Sequence, residues 1–526
     1  MMQKEIVQKE IVQKELVSRT PETKPAPSPY PSSIVKYEVI IDRPKCSMCG
    51  ICAEVCPSCI GSSTIDYEAY QKPDGYLRLA VPKISCTGSS CNRCVIKCPS
   101  NALSVVISPQ YVALGDLRWT PDLIFSTWEQ AEVGSLSGEH EYKIGNSGGG
   151  FDKLRFDFEM DNKESREDGL ADYEDRDTSI LLNKRSDGRP ETKIPIPVYG
   201  ADMSYGSVSL NVMLARAKAA EAWNTFTSTG EGGYPDELIQ CKDHVITQVA
   251  TGHFGVNAET IKRSKIIVLK YAQGAKPGLG GHLLADKVTP EVAKIREVVP
   301  YISLFSPFPF HNVYSVEDHY RHVQLMEDIN PQALISVKVS TPTDVDMVAI
   351  GSYYAGAHIL QIDGGYGGTG AAPDIAKKNI AMPIEYAIPI VHNYLVKEGV
   401  RDKITIMASG GIRTAFDVAK AIALGADGAV IGTAELVALG CKRCENCERG
   451  KGCPAGIATT DPTLMYSIDI DWGCQRIINL YSSWKKQWSH ILDKLDLENI
   501  QELRPRDEVK FKQGRFNHMV HLDHLR

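Results

Sequence analysis

The chain has no apolar run approaching the ~20 residues that a membrane span needs. Its start, MMQKEIVQKEIVQKEL, lacks the apolar core of a secretion signal. Charge is nearly balanced: 58 Lys and Arg face 65 Asp and Glu, a net of −7, and the pI is near 6.0. That argues against a nucleic-acid or anionic-membrane partner. NAD(P)H is not expected to bind this chain. These absences give the expectation of a cytoplasmic protein with no nucleic acid and no membrane as partner.

Cysteine, by contrast, is plentiful. Fifteen are present, most of them in tight runs that contain Cys-x-x-Cys. A long chain without an export signal keeps such cysteines reduced, and tight spacing then means metal or cluster ligation, not disulfides. With 526 residues at 43% hydrophobic and 23% charged composition, two or more ordinary globular domains are expected. Residues 1–34 read as a tail and linker: a pentad repeated three times (QKEIV, QKEIV, QKELV), then PETKPAPSPYPSS. The five-residue period fits neither a heptad seam nor a strand, and the prolines make an extended spacer. Residues 35–108 form a cysteine-dense unit. Residues 109–190 connect, with a break at GNSGGG and an acidic stretch DGLADYEDRD.

Within the cysteine-dense unit, Cys46, Cys49, Cys52 and Cys56-Pro have the spacing of a bacterial ferredoxin run, and Cys86, Cys91, Cys94 and Cys98-Pro make a second with a longer first gap. Three close thiolates grip one Fe₄S₄ cube, and the fourth of each run reaches the other cube. This predicts Cys46, Cys49, Cys52 and Cys98 on one [4Fe-4S] cluster and Cys86, Cys91, Cys94 and Cys56 on the other, with Cys59 a bystander. A pair of zinc sites is the competing reading.

From about residue 191 to 460, short β-branched runs alternate with helical stretches. Eight runs stand out: IPVYGADMSYG, TFTSTGEGG, IIVLKYAQGAK, ISLFSPFPF, LISVKVS, ILQIDGGYGG, ITIMASGG and GAVIGTAE. Eight buried strands alternating with helices predict an α/β fold, a (β/α)₈ TIM barrel with an N-terminal α+β ferredoxin-like domain. HVITQVATGHFGV reads as an extra hairpin between the second and third strands. Residues 461–526 read as a closing helical segment, with IINLYSSWKKQWSHILDKL amphipathic at helical spacing. Ser409, Gly410 and Gly411 on one strand end, and Gly432 and Thr433 on the next, form either a phosphate grip or ordinary turns. Thr414 is placed to cap the helix that follows. Iron–sulfur centres pass electrons singly while imine or carbonyl reduction consumes a hydride, and a flavin converts between the two. FMN suits a barrel with one phosphate site.

The motifs GADMSYGSVS, TGEGG, QVATGHFGV, QGAKPGLGG, SPFPFHNVYSVEDH, SVKVS, GGYGGTGAAPD, ASGGIRT, LGADGAVIGTA and CPAGIATTDP occur in an order and spacing that resemble the FMN-binding synthase domain of glutamate synthase. The layout, with ferredoxin runs ahead of the barrel, is similar to the archaeal-type large subunit. The resemblance implies reductive amination of 2-oxoglutarate with ammonia, through 2-iminoglutarate, to L-glutamate. It implies a third centre, [3Fe-4S] or [4Fe-4S], on Cys441, Cys447 and Cys453, with Cys444 an additional ligand candidate and zinc the alternative. It implies substrate roles for Lys276 and Arg296, proton handling or partner sensing for Glu231, and FMN contacts for Met203, Ser204, Gln273 and Lys338. Asp363 and its glycines would shape the pocket roof. Without the resemblance, Arg296 reads as a solvent-facing helix charge and Glu231 as a turn carboxylate. Phe310, Asn312, Leu279 and His253 depart from the family pattern. No glutaminase domain and no C-terminal β-helix are seen, so ammonia would come from a separate glutaminase subunit or free ammonium, and electrons from a reductase subunit or a ferredoxin. The competing readings are an N-methylglutamate synthase-type enzyme, a non-catalytic electron-transfer subunit, and a dihydroorotate dehydrogenase-type barrel.

Overall fold

The computed structural model describes residues 20–28, 36–56, 76–80, 86, 88–136, 150–157, 175–373, 375–377, 379–448, 450–509, 511–513 and 518–521. The pentad repeat, the second half of the Pro-rich linker, Cys59, most of GNSGGG and most of the acidic stretch lie outside the described residues. The chain divides into two compact units, one of Pro27–Phe125 and one of Met1–Ala26 with Ser126–Arg526.

The smaller unit contains strand β1 (Tyr37–Asp42), helix α1 (Ile51–Val55), strand β2 (Tyr76–Ala80), helix α2 (Arg93–Ile96) and strand β3 (Leu103–Ile107). The strands form an antiparallel sheet in the order β2-β1-β3. Val39 and Ile41 alternate along β1 onto one face, where they pack with Leu103 and Cys94. Cys46, Cys52, Cys56, Cys86 and Cys98 pack against this small core.

The larger unit is a barrel. Its parallel strands begin with β4 (Val198–Gly200), β5 (Thr227–Ser228), β6 (Val245–Ala250) and β7 (Ile266–Lys270). An antiparallel pair, β8 (His282–Leu283) and β9 (Leu304–Phe305), interrupts them. β10 (Leu334–Val339), β11 (Ile359–Asp363), β12 (Thr405–Ser409) and β13 (Gly428–Ile431) complete the series. Hydrogen bonding runs in the order β4-β13-β12-β11-β10-β7-β6-β5. The ring closes where Gly200 N–H donates to Phe226 O at 2.8 Å and Asp202 bridges Ser228. Helices α3 (Leu210–Ala222), α4 (Pro290–Arg296), α5 (Val316–Ile329), α6 (Val345–Tyr354), α7 (Ile384–Lys397) and α8 (Ala415–Ala423) lie among the strands in sequence, and α9 (Thr433–Ala438) follows the last. Short polar side chains start several of them. The hydroxyls of Ser209, Thr289, Ser315 and Thr414 each accept from a backbone N–H three residues on, so the expected Thr414 cap is present.

One strand assignment changes. The third barrel strand is Val245–Ala250 and not an added hairpin, whereas ISLFSPFPF supplies only the two-residue β9 outside the barrel. All six residues of β6 are buried, as a strand covered on both faces must be. Pro307 and Pro309 deny the other run the N–H groups a central strand needs. The C-terminal stretch also differs from a purely helical reading. Helix α10 (Ile470–Lys494) is long and buries Trp484 and Trp488, but Phe511–Gln513 is a strand paired with His518–His521, which in turn lies beside Arg155–Asp157. At the strand N-termini, buried Asp427 gathers Lys184 at 2.5 Å and Arg401 at 3.0 Å, an ion network that closes the barrel floor. The opposite end stays open.

Candidate active site

The C-terminal strand ends surround a cavity of about 230 Å³. Asp202, Met203 and Ser204 reach it from the turn after β4, and Glu231 from the turn after β5. Gln248 of β6, Lys270 of β7, Lys338 of β10, and Gln273 and Lys276 beyond β7 add to the wall. Arg296 of α4 and the β8–β9 pair, through His282, Leu283, Leu304 and Ser306, form the side. Gly368 to Ala371, Thr433 and the loop carrying Cys441 and Cys447 complete it.

Register places the cations. Lys270 lies opposite Lys338, and Lys338 opposite Gln361, so both ammoniums occupy one level of the barrel mouth. Lys338 Nζ donates to Asp202 at 2.7 Å and lies 3.9 Å from Asp363. Burial works against this charge, but Asp202 outweighs it and raises the lysine above its ordinary value. Lys270 Nζ donates to Glu231 Oε2 at 2.6 Å, and Ser306 Oγ donates to Glu231 Oε1. Burial opposes the Glu231 anion too, yet Lys270, Ser306 and Arg296 hold its carboxyl below the usual carboxylate range. Gly281 has no side chain because a Cβ there would lie 2.2 Å from Glu231 Oε2.

Two cations are differently placed. Lys276 is 3% exposed and donates to Ala371 O at 3.1 Å. Burial and the nearby Lys270 charge push its ammonium down to about 8. Arg296 Nη2 donates to Ser204 Oγ and Tyr205 O, both at 3.0 Å. Its Nε is buried without a hydrogen-bond partner, and burial lowers the guanidinium to about 10. Among the described residues, no carboxylate forms an ion pair with either Lys276 or Arg296. Gln248 adds an amide Nε2, also buried and unpartnered.

Of the residues singled out from sequence, Met203, Ser204, Glu231, Gln273, Lys276, Arg296, Lys338, Thr433, Cys441 and Cys447 line this cavity. Ser409, Gly410, Gly411, Gly432, Cys444 and Cys453 are not in its lining. Ser409 Oγ donates to Asp363 Oδ1 at 2.8 Å. Gly410 and Gly411 turn with φ of 82° and 128°, which favours glycine. Asp363 accepts from Gly274 N–H at 2.9 Å, tying the turn after β7 to β11. Phe310, one of the departures, is a core ring against His253, Tyr271 and His322. Leu279 is exposed.

The late cysteines gather beside the cavity. Cys441 is raised to about 12 by burial, with Cys447 and Cys453 among the neighbours that add to the rise. Cys447 senses Cys453 and Cys444 in turn, while Cys444 itself is exposed. Lys287 Nζ donates to Cys447 O at 2.6 Å, and Gly370 packs so close that a Cβ would lie 2.6 Å from Cys447 Cβ. In the smaller unit, Cys52 is raised by burial and by Cys46 and Cys49. Cys94 is raised by burial and by Cys56 and Cys86. The fourth cysteine of the first run thus lies with the second run. Among the described residues, no three His, Cys, Asp or Glu converge as they would on a single metal ion.

Sequence reading passed over Lys270, Asp202, Gln248 and Ser306. Lys270 carried the same signal as Lys338, a lysine ending an apolar strand run. Ser306 carried none, because its role depends on β9 lying over Glu231.

The described helices include none long and apolar enough to cross a membrane. The conserved region in glutamate synthase matches residues 145–498. Archaeal-type glutamate synthase [NADPH] of Thermotoga sp. (strain RQ2) is 36% identical over 90% of this chain and 94% of its own. Archaeal glutamate synthase [NADPH] of Methanocaldococcus jannaschii is 43% identical over 60% of this chain and 62% of its own. Among solved structures, a mutant flavocytochrome b2 with pyruvate bound covers 64% of this chain and 73% of its own at 16% identity, with a TM-score of 0.39.

Proposed function

The chain belongs to the glutamate synthase family of oxidoreductases, and from that premise we propose that it makes L-glutamate from 2-oxoglutarate and ammonia. The observation that carries this reading is the pair Lys276 and Arg296, buried cations in one cavity without carboxylate partners. A buried charge is costly until an anion meets it. A dicarboxylate substrate supplies two, and charge-assisted hydrogen bonds hold it by both ends.

Condensing the 2-oxo group with ammonia releases water and leaves 2-iminoglutarate. Reduction then adds a hydride to the imine carbon and a proton to nitrogen. Glu231 is held as the anion, so the proton-bearing member of its pair is Lys270, 2.6 Å away. Lys270 is placed to supply that proton, and Glu231 to hold the ammonium in position. Lys338 with Asp202 forms a fixed dipole at the cavity base and keeps positive charge where negative charge develops.

FMN fits these residues. Buried donors at Gln248 Nε2 and Lys338 face the cavity, and Gly368 approaches Thr433 Oγ1 so closely that a Cβ would lie 2.5 Å from it. FMN, when bound, supplies the hydride. Met203, Ser204, Gln273, Lys338 and Thr433 would hold it, with Ser409, Gly410, Gly411 and Gly432 shaping the turns behind. Two [4Fe-4S] clusters suit the eight N-terminal cysteines, and a third centre suits Cys441, Cys447 and Cys453. Such clusters supply single electrons when bound. Ammonia would come from a glutaminase subunit or free ammonium, and electrons from a reductase subunit or a ferredoxin.

The test is anaerobic. The reduced, reconstituted protein is mixed with 2-oxoglutarate and either ammonium or methylamine while flavin absorbance is followed. Reoxidation with ammonium is expected. Reoxidation with methylamine alone would replace glutamate synthesis by N-methylglutamate synthesis, and none with either amine would leave only electron transfer.

A further inference from the structure

Lys287 is a buried cation with no part in the proposed chemistry. It ends the single turn Ala285–Lys287 between β8 and α4 and is 2% exposed. Its Nζ donates to the backbone O of Cys447 at 2.6 Å. Among the described residues, no carboxylate forms an ion pair with it. The adjacent Asp286 accepts from Gly450 N–H at 2.9 Å, and Glu448 lies 3.6 Å from His282. A cation so buried needs an anion close by. We propose that this anion is the iron–sulfur centre held by Cys441, Cys447 and Cys453, and that Lys287 raises its reduction potential.

Charge gives the direction. Three thiolates leave such a centre net negative, and reduction adds one more negative charge. Covalent geometry keeps a cysteine Sγ within ~5 Å of its own carbonyl O, so Lys287 Nζ is no more than ~8 Å from the Cys447 sulfur. Over about 10 Å in a buried setting, one positive charge favours the reduced form by about tenfold.

The turn is built to hold that charge in place. Lys287 and Asp286 grip the cysteine loop at two points, the carbonyl of Cys447 and the N–H of Gly450. Thr459 Oγ1 donates to Gly450 O as well. A Cβ on Gly450 would lie 3.0 Å from Asp286 O, so loop and turn pass close together. Val288, next in the chain, is fully buried and anchors the turn. Lys451, also on the loop, differs: its side chain is 84% exposed and lies 3.4 Å from Asp461, so solvent screens it.

The inference rests on the third centre of the proposed function, which iron and sulfide analysis of Cys447→Ser tests by itself. Unchanged iron in that variant removes the centre and this inference with it. With the centre present, a redox titration of the reconstituted full-length protein under argon, read by electron paramagnetic resonance, follows the signal that Cys447→Ser lacks. Lys287→Met and Lys287→Gln should each shift its equilibrium about tenfold toward the oxidised form, a fall of about 60 mV for one electron. Gln keeps a donor for the Cys447 carbonyl, so a shared fall tracks charge and not the hydrogen bond. Lys287→Arg and Lys451→Met should keep the original potential. If one uncharged variant sheds the centre's iron, the other decides. An unchanged potential in Lys287→Met and Lys287→Gln overturns the inference, as does an equal fall in Lys451→Met. Iron lost from all three Lys287 variants, Arg included, would make Lys287 a clasp for the loop alone and overturns it too.

Discussion

Replacing Lys276 with Met should make the protein melt at a higher temperature and yet cost it 2-oxoglutarate. The side chain is 3% exposed and its ammonium is pushed from 10.5 down to about 8 by burial and by Lys270. At 1.36 kcal/mol per pKa unit, holding the charge in the ligand-free protein costs about 3 kcal/mol. The folded value lies below the unfolded one, so the unfolded chain binds this proton more tightly. The penalty is therefore complete below pH 8 and is relieved as pH rises from 8 to 10.5. Met fills similar space without charge. The variant should melt roughly 3–6 °C higher at pH 7, a gap that narrows above pH 8. Substrate binding moves the other way. One charge-assisted hydrogen bond is worth ~1.5–3 kcal/mol, so affinity should fall about 10- to 100-fold. In the unmutated protein, affinity for 2-oxoglutarate should also decline as pH passes 8 and the ammonium loses its proton, a decline the variant lacks. Scanning calorimetry at pH 7, 8 and 9.5 reads the first effect, and titration calorimetry reads the second. A lower melting temperature at pH 7, or an unchanged affinity, would refute the reasoning that Lys276 is a buried cation awaiting an anion.

Glu231→Gln strands Lys270 as a buried cation, so the melting temperature should drop by an amount equivalent to about 3–5 kcal/mol, and adding Lys270→Met should recover most of it; strictly additive losses in a double-mutant cycle would rule out the pair. Gly281→Ala drives a methyl into the Glu231 carboxylate, and steady-state kinetics should show kcat lower by ~10-fold or more with melting nearly unchanged. An unaltered kcat there would mean that the Glu231 position does not matter to turnover. Cys447→Ser should lose the iron of the third centre while exposed Cys444→Ser keeps it, as read by iron and sulfide analysis; equal iron in both would undo the ligand assignment.

Much was legible because it is local. Cysteine spacing is set along the backbone, and helix caps such as Thr414 act within one turn. Apolar runs that must be buried on both sides announce parallel strands, and seven of the eight barrel strands were visible in that way. The eighth was misplaced because HVITQVA and ISLFSPFPF are both apolar and short. Periodicity does not separate a buried strand from a run that lies across the barrel mouth.

What the sequence alone determined is the class of the molecule: thiol clusters before and after a barrel in the chain, cations ending its strands, and the family those motifs resemble. The tertiary structure decided which charges are paired and which are not. Lys270, Lys276, Arg296 and Lys338 look alike as letters, yet Lys270 and Lys338 pair with Glu231 and Asp202 while the others hydrogen-bond only to neutral groups. That difference arises from strand register and from the β8–β9 pair folding over the cavity, contacts between residues far apart in the chain. Electrostatic energy depends on distance in space and on burial, and neither is written in the order of residues.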